Sequence, residues 1–248
     1  MANQFDERTR TGGFDATGTT SVPRATRDAG LRKYMLSVYN YMTSAILLTG
    51  IVALLFFSSG MAQQVFFGGG ILPWLIILSP LAIIFAMSFG QNRMSTSTLH
   101  ILFWSFAVLM GLSMSTIFLR YTGISIAQTF FAVSAAFAGL SLWGYTTKKD
   151  LSGWGTFLIM GVVGLIVAML LNAFVFQSTA MGMAISAIGV LIFAGLTAYD
   201  TQKIKSIYQY VARDADLMQR AIIMGALNLY LDFINMFQFL LSFLGSQE

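Results

Sequence analysis

Seven apolar stretches dominate this chain, and each is long enough to cross a lipid bilayer. A helix needs roughly 20 mostly apolar residues to span the hydrocarbon core. Only 10% of the residues are charged, whereas a soluble domain carries roughly 25%. The apolar runs are unbroken, which does not fit the alternating pattern of a membrane barrel. The sequence therefore predicts an all-α integral membrane protein, a bundle of seven transmembrane helices at about residues 38–57, 71–90, 99–119, 125–146, 154–176, 182–202 and 221–244.

The basic residues predict how this bundle is oriented. All but one of the 14 Lys and Arg residues precede the first stretch or lie in the second, fourth and sixth connections. The exception is Arg120, in the third connection. Because Lys and Arg accumulate in cytoplasmic loops, we expect a cytoplasmic N-terminus and a C-terminus outside. No organelle address is recognisable, so the predicted location is a bacterial inner membrane.

The first 36 residues differ from the remainder of the chain. Residues 1–36 are rich in Thr, Gly, Arg and Asp and contain no apolar run. Such a composition predicts a disordered cytoplasmic tail, followed by a transmembrane domain over 37–248. The net charge of +4 does not indicate nucleic-acid binding, because the basic residues mostly flank apolar stretches.

The last apolar stretch contains a single charged residue, Asp232. An ionised carboxylate at the centre of a membrane helix costs roughly 3 kcal/mol on insertion scales. Asn228 and Asn235 lie four residues before and three after it, on the same helical face. We expect this face to point into the bundle, where the two amides could donate hydrogen bonds to the carboxylate.

Asp200, at the end of the sixth stretch, is the best candidate partner for Asp232, with Thr197 one turn before it. Two adjacent carboxylates in a low-dielectric site share a proton and titrate as a coupled pair, which suits a pH sensor. When ionised, they offer oxygen ligands for Ca²⁺. Alternatively, Asp200 is a solvated residue at a helix end balanced by Lys203, and Asp232 is a structural anchor. Depth also argues against contact, since Asp232 is expected deeper than Asp200.

Two further titratable or charged residues have both functional and structural interpretations. Arg93, after the second stretch, could neutralise the acidic pair as a latch, or could be an interfacial anchor. His100, the single histidine, could titrate near neutral pH or lie at the membrane surface. Neither thiolate metal sites nor sites with two histidines are possible, because the chain has one His and no Cys.

Small residues in the fifth and sixth stretches predict close helix packing. Helices in lipid associate where Gly, Ala and Ser let their backbones approach. The residues concerned are Gly161, Gly164 and Ala168 in the fifth stretch and Gly182, Ser186, Gly189 and Ala194 in the sixth.

Two segments of the last two stretches resemble the signature of the Bax-inhibitor family, the transmembrane Bax-inhibitor-motif proteins. They are FAGLTAYDTQKIK at 193–205 and LYLDFINMF at 229–237. The resemblance extends over 37–248 and implies a bundle whose last helix is central. The resemblance also implies that Asp200 and Asp232 form a hydrogen-bonded pair that acts as the pH sensor of a Ca²⁺ leak, as the corresponding pair does in bacterial relatives. Arg93 is the nearest match to an arginine that latches onto the sixth-helix aspartate in the closed state.

The leading prediction is thus a pH-sensitive Ca²⁺ leak gated by paired aspartates, with Ca²⁺ and H⁺ as the ions and no cofactor. The alternative is a non-transporting regulator that binds a membrane protease, as some bacterial relatives do, with the N-terminal tail as a docking element. Two intramembrane aspartates would also suit an aspartyl protease. However, the Gly-rich motif of such proteases is absent before Asp232, and no serine-hydrolase elbow is present, so we predict no enzyme activity.

Overall fold

The computed structural model describes residues 24–91 and 93–246, and seven of its helices are long and apolar enough to cross a membrane. The predicted all-α, seven-span architecture is confirmed. A short additional helix, α2, lies in the first connection. The α-helices are α1 (Arg24–Ser58), α2 (Met61–Phe67), α3 (Leu72–Gly90), α4 (Thr96–Met114), α5 (Gly123–Thr146), α6 (Ser152–Leu171), α7 (Thr179–Val211) and α8 (Ala215–Leu244).

Four of the long helices begin at a side chain that caps their free backbone N–H groups. Ser95 accepts from Thr98 N at the start of α4, and Thr122, Ser178 and Asp214 act similarly for α5, α7 and α8. Serine, threonine and aspartate are favoured here because their side-chain oxygens satisfy N–H groups that have no partner within the helix. These caps fix the residue at which each of the four helices begins.

The first helix starts before the predicted domain boundary at residue 36. It runs from Arg24, so residues 24–36 are helical, whereas 1–23 lie outside the described residues. Tyr34 and Met35 are buried, and the Tyr34 ring lies 5.5 Å from that of Tyr208 on α7. A short apolar face thus extends α1 along the end of α7. Composition alone did not indicate this face, because its neighbours in the sequence are polar.

The last helix occupies the centre of the bundle, as predicted. Half of its most apolar window is buried, the largest share among the seven spans. It packs directly against α1, α4, α5 and α7, while α3 packs on α4 and α6 packs on α7. Its buried residues lie all round the helix, including Tyr230, Asp232 and Phe233. Side chains on α8 are therefore the ones best shielded from lipid.

Candidate functional site

A cavity of about 530 Å³ lies between α3, α4, α6, α7 and α8. Both Asp200 and Asp232 line it, together with Asn228 and Asn235. The remaining walls are mostly apolar and include Pro80 of α3. The structure therefore brings together four of the polar residues singled out in the sequence.

The register of α7 against α8 places the two aspartates close in depth. Ser186 Oγ donates to Ser242 Oγ at 3.1 Å, and Gly225 faces Ile204. If this register continues along the two antiparallel helices, Asp200 lies opposite Asn228. Asp232 then lies four residues further on, roughly 6 Å along the axis. Asp200 is not at a helix end, because α7 continues to Val211. The expected depth mismatch is therefore reduced to about one turn.

Asp232 is buried and incompletely paired. Its side chain is 4% exposed, and its Oδ2 atom has no hydrogen-bond partner among the described residues. The Asn235 amide, which we expected to donate to the carboxylate, donates instead to the backbone oxygen of Leu231 at 2.8 Å. Buried polar groups without partners are rare in folded proteins. Among the described residues, this carboxylate oxygen is the one buried side-chain N or O atom without a hydrogen-bond partner.

The cavity reaches only part of the way through the bundle. From Asp200 it extends along α8 towards Gln238, at the end of the bundle that carries Arg120. Towards the opposite end, the core is filled by apolar side chains, and Met87, Ile204 and Ile223 are all fully buried. A cation crossing the bundle would have to displace this packed layer.

Gln238 is a cavity residue that the sequence interpretation missed. It lies three residues after Asn235 and extends the polar face formed by Asn228, Asp232 and Asn235. Its spacing would have identified it, since residues three and four apart share a helix face. Thr197, the supporting residue predicted near Asp200, is fully buried and donates to the backbone oxygen of Phe193 at 2.8 Å. It does not line the cavity.

Arg93 is not positioned near the aspartates in this conformation. It is exposed in the connection after α3 and does not line the cavity. Within 24–91 and 93–246, the one salt bridge joins Arg220 to Asp216 at 2.7 Å. The Arg220 guanidinium also donates to the backbone oxygens of Gln91 and Met94, at 3.1 and 2.8 Å. Arg220 thus holds the loop that carries Arg93, and the Arg93 latch stays a prediction.

His100 belongs to a separate polar cluster. Its Nδ1 lies 3.0 Å from the backbone oxygen of Thr96, so Nδ1 carries a proton, because a carbonyl can only accept. Its Nε2 is 2.9 Å from Tyr41 Oη and 3.1 Å from Gln219 Nε2. This cluster joins α1, α4 and α8 and explains the histidine as a link between helices.

The cavity offers oxygen ligands, but few charges. Among the residues the structure describes, no group of three or more His, Cys, Asp or Glu side chains could hold a metal ion. Calcium takes six to eight oxygen ligands in stable sites. Here two carboxylates are supplemented by the amide side chains of Asn228, Asn235 and Gln238. Such a set suits transient contact with a cation better than permanent binding.

Comparisons with known proteins agree with this architecture. Residues 31–248 match the family model described as "Inhibitor of apoptosis-promoting Bax1". An uncharacterized protein of Rickettsia prowazekii is 46% identical over 95% of this chain and 98% of its own length. One of Caulobacter vibrioides is 45% identical, over 89% of this chain and 91% of its own. The inner membrane protein YbhL of Escherichia coli is 41% identical, over 89% of this chain and 94% of its own.

Proposed function

The chain belongs to the Bax-inhibitor family, and from this premise we propose that it is a pH-sensitive cation leak whose permeant ion is Ca²⁺. The observation that carries the proposal is the common cavity of Asp200 and Asp232, in which one buried carboxylate oxygen has no hydrogen-bond partner among the residues that the structure describes. An ionisable residue inside a membrane bundle marks an ion or proton pathway more often than a purely structural site.

The proposed gate is the packed apolar layer beside the aspartates. When both carboxylates are ionised, they repel each other and attract a cation. When they share a proton, their attraction for the cation and their mutual repulsion both decrease. Since Asp200 lies on α7 and Asp232 on α8, a change in their protonation alters the force between these two helices. Ile204 and Ile223, in the layer beyond the cavity, lie on the same two helices.

We also propose an inner-membrane location with the basic end of the bundle in the cytoplasm. YbhL of Escherichia coli is named an inner membrane protein, and the distribution of Lys and Arg supports the orientation. In this orientation the apolar layer of Met87, Ile204 and Ile223 lies between the cavity and the cytoplasm.

The test is Ca²⁺ flux into liposomes containing the purified full chain, measured at several pH values. We expect Asp232→Asn to lower the flux by at least about tenfold, because clefts lined by one sign of charge concentrate counter-ions by this factor or more. Asp200→Asn should also lower it, and both variants should lose the pH dependence seen in the unmodified chain.

A matched control is Asp150→Asn. Asp150 is exposed in the connection between α5 and α6, and a hydrogen bond from the backbone N–H of Ser152, at 2.9 Å, lowers the pKa of its carboxyl. The Asp150→Asn substitution removes one ionised carboxylate outside the cavity, so the Ca²⁺ flux of this variant should equal that of the unmodified chain. Flux unaffected by either cavity substitution at every pH would contradict the proposal. It would favour the alternative of a non-transporting regulator that binds a membrane protease.

A further inference from the structure

A second, larger hollow lies on the opposite side of α8 and takes no part in the proposed ion pathway. It is a groove of about 610 Å³ between α1 and α5. Phe233 of α8, which is itself buried, forms its inner wall through edge-to-face contacts with Phe130 and Phe137 of α5. The volume lies within the range of ligand pockets in proteins.

The groove runs along the helices and faces the lipid. Its outer edges carry exposed apolar side chains, among them Leu36 and Leu47 of α1 and Leu142 of α5, each more than half exposed. Ala138 of α5, which is also exposed, leaves space between these edges. An apolar groove that runs along the helices and is open to the bilayer matches the shape and chemistry of an acyl chain.

The end of this groove is basic. Arg32 is the one charged residue that lines it within the described chain. Tyr145 lines the same end, and Lys205 Nζ donates to its backbone oxygen at 2.6 Å and lies 4.7 Å from its ring. An acyl chain in the groove would therefore place its headgroup next to an arginine and a lysine. Guanidinium and ammonium groups at this position bind a phosphate and favour a headgroup whose net charge is negative.

We propose that this groove is a binding site for one anionic phospholipid, with an acyl chain between α1 and α5 and the headgroup phosphate on Arg32. The apolar walls bind the chain whatever the headgroup, and Arg32 selects for negative charge. The site is independent of the proposed leak, since none of its lining residues lines the cavity that contains Asp200 and Asp232.

The test is native mass spectrometry of the full chain, released from detergent after equilibration with dioleoyl phosphatidylglycerol or dioleoyl phosphatidylcholine. We expect one lipid to be retained, with phosphatidylglycerol favoured by about fivefold, the effect of one basic residue near an anionic lipid surface. Arg32→Gln should remove most of this preference while one lipid is still retained, because Lys205 stays near the headgroup. Ala138→Trp fills the groove and should remove the retained lipid of either type.

Two matched controls separate the groove from general effects of charge and bulk. Lys33→Gln removes the adjacent positive charge, which does not line the groove. Ala82→Trp adds the same bulk at an exposed position of α3 outside the groove. Both should behave as the unmodified chain does. Equal retention of the two lipids by the unmodified chain, or unchanged retention by Ala138→Trp, would overturn the proposal.

A second measurement does not depend on the folding of any variant. Phosphatidylglycerol with a photoreactive group on its acyl chain, incorporated with the unmodified chain, should cross-link to peptides of α1 and α5 that line the groove. Cross-links spread evenly over the exposed faces of α3 and α6 would instead indicate only bulk lipid contact and would contradict a specific site.

Discussion

At the scale of single residues, the buried pair formed by Thr49 and Tyr230 shows how this core uses polar groups. Thr49 Oγ1 donates to the backbone oxygen of Ala107 at 2.8 Å, so its single proton is committed. The hydroxyl of Tyr230, 2.7 Å away, must therefore donate to Thr49. Both side chains are almost completely buried. The two hydrogen bonds join α1, α4 and α8 at a level where no water is accessible.

The direction of these bonds predicts unequal effects of substitution. Thr49→Val leaves the Tyr230 hydroxyl buried without an acceptor, which costs about 1–3 kcal/mol. Tyr230→Phe leaves Thr49 bonded to Ala107 and should cost about 1 kcal/mol. The measurement is the free energy of unfolding in mixed detergent micelles. If the double variant is as unstable as the sum of the two single variants, the pair is not coupled and this interpretation is wrong.

At the scale of helices, α5 and α7 approach each other closely at Gly144. A Cβ atom added there would lie 2.3 Å from the backbone oxygen of Ala198. Since backbone cannot move aside as a side chain can, Gly144→Ala should destabilise the protein by about 1–3 kcal/mol. Gly139→Ala, on the same helix with no described residue within 4 Å of its added Cβ, should not destabilise the protein, because alanine is favoured over glycine in a helix interior by up to about 1 kcal/mol. Thermal unfolding of the two variants side by side tests the contrast, and equal losses would exclude close packing as the cause.

Helix packing also shows what sequence patterns can and cannot predict. Small residues in α6 and α7 predicted close approach, and Gly161 and Gly189 do contact Ile192 and Phe239. No described residue lies within 4 Å of a Cβ atom added at Gly164. Gly144 was missed, because its close neighbour Ala198 comes from a helix distant in sequence. Apolar length determines that a helix spans the membrane, but its partner helix depends on how all seven pack together.

Part of the candidate site could likewise be predicted from the sequence, and part could not. The polar face of Asn228, Asp232 and Asn235 follows from helical spacing alone, and its inward direction follows from the cost of exposing it to lipid. The depth of Asp200 in the membrane could not be predicted in this way. The apolar stretch ends near residue 202, whereas α7 continues to Val211. Lys203 and Lys205 lie in that continuation, which a hydropathy pattern assigns to a connection.

At the scale of the whole molecule, the distribution of charge predicts which ends of the helices meet the cytoplasm. The chain has no cysteine. The labelling of a single introduced cysteine therefore reports the accessibility of that position alone. Gln63→Cys on α2 should react with a membrane-impermeant maleimide in intact cells, because α2 lies at the end opposite the basic connections. Lys148→Cys should react only after the membrane is permeabilised. The reverse pattern would contradict the proposed orientation.

The central position of α8 has a consequence for biosynthesis. Among the seven spans, α8 is the last to leave the ribosome, and its mean hydropathy is among the lowest. The other six helices are thus already synthesised before the element that fills their centre exists. Until then, the faces of α1, α4, α5 and α7 that pack on α8 must contact lipid or one another. Completion of the chain, rather than insertion of its first helices, is therefore the step at which this protein acquires its core.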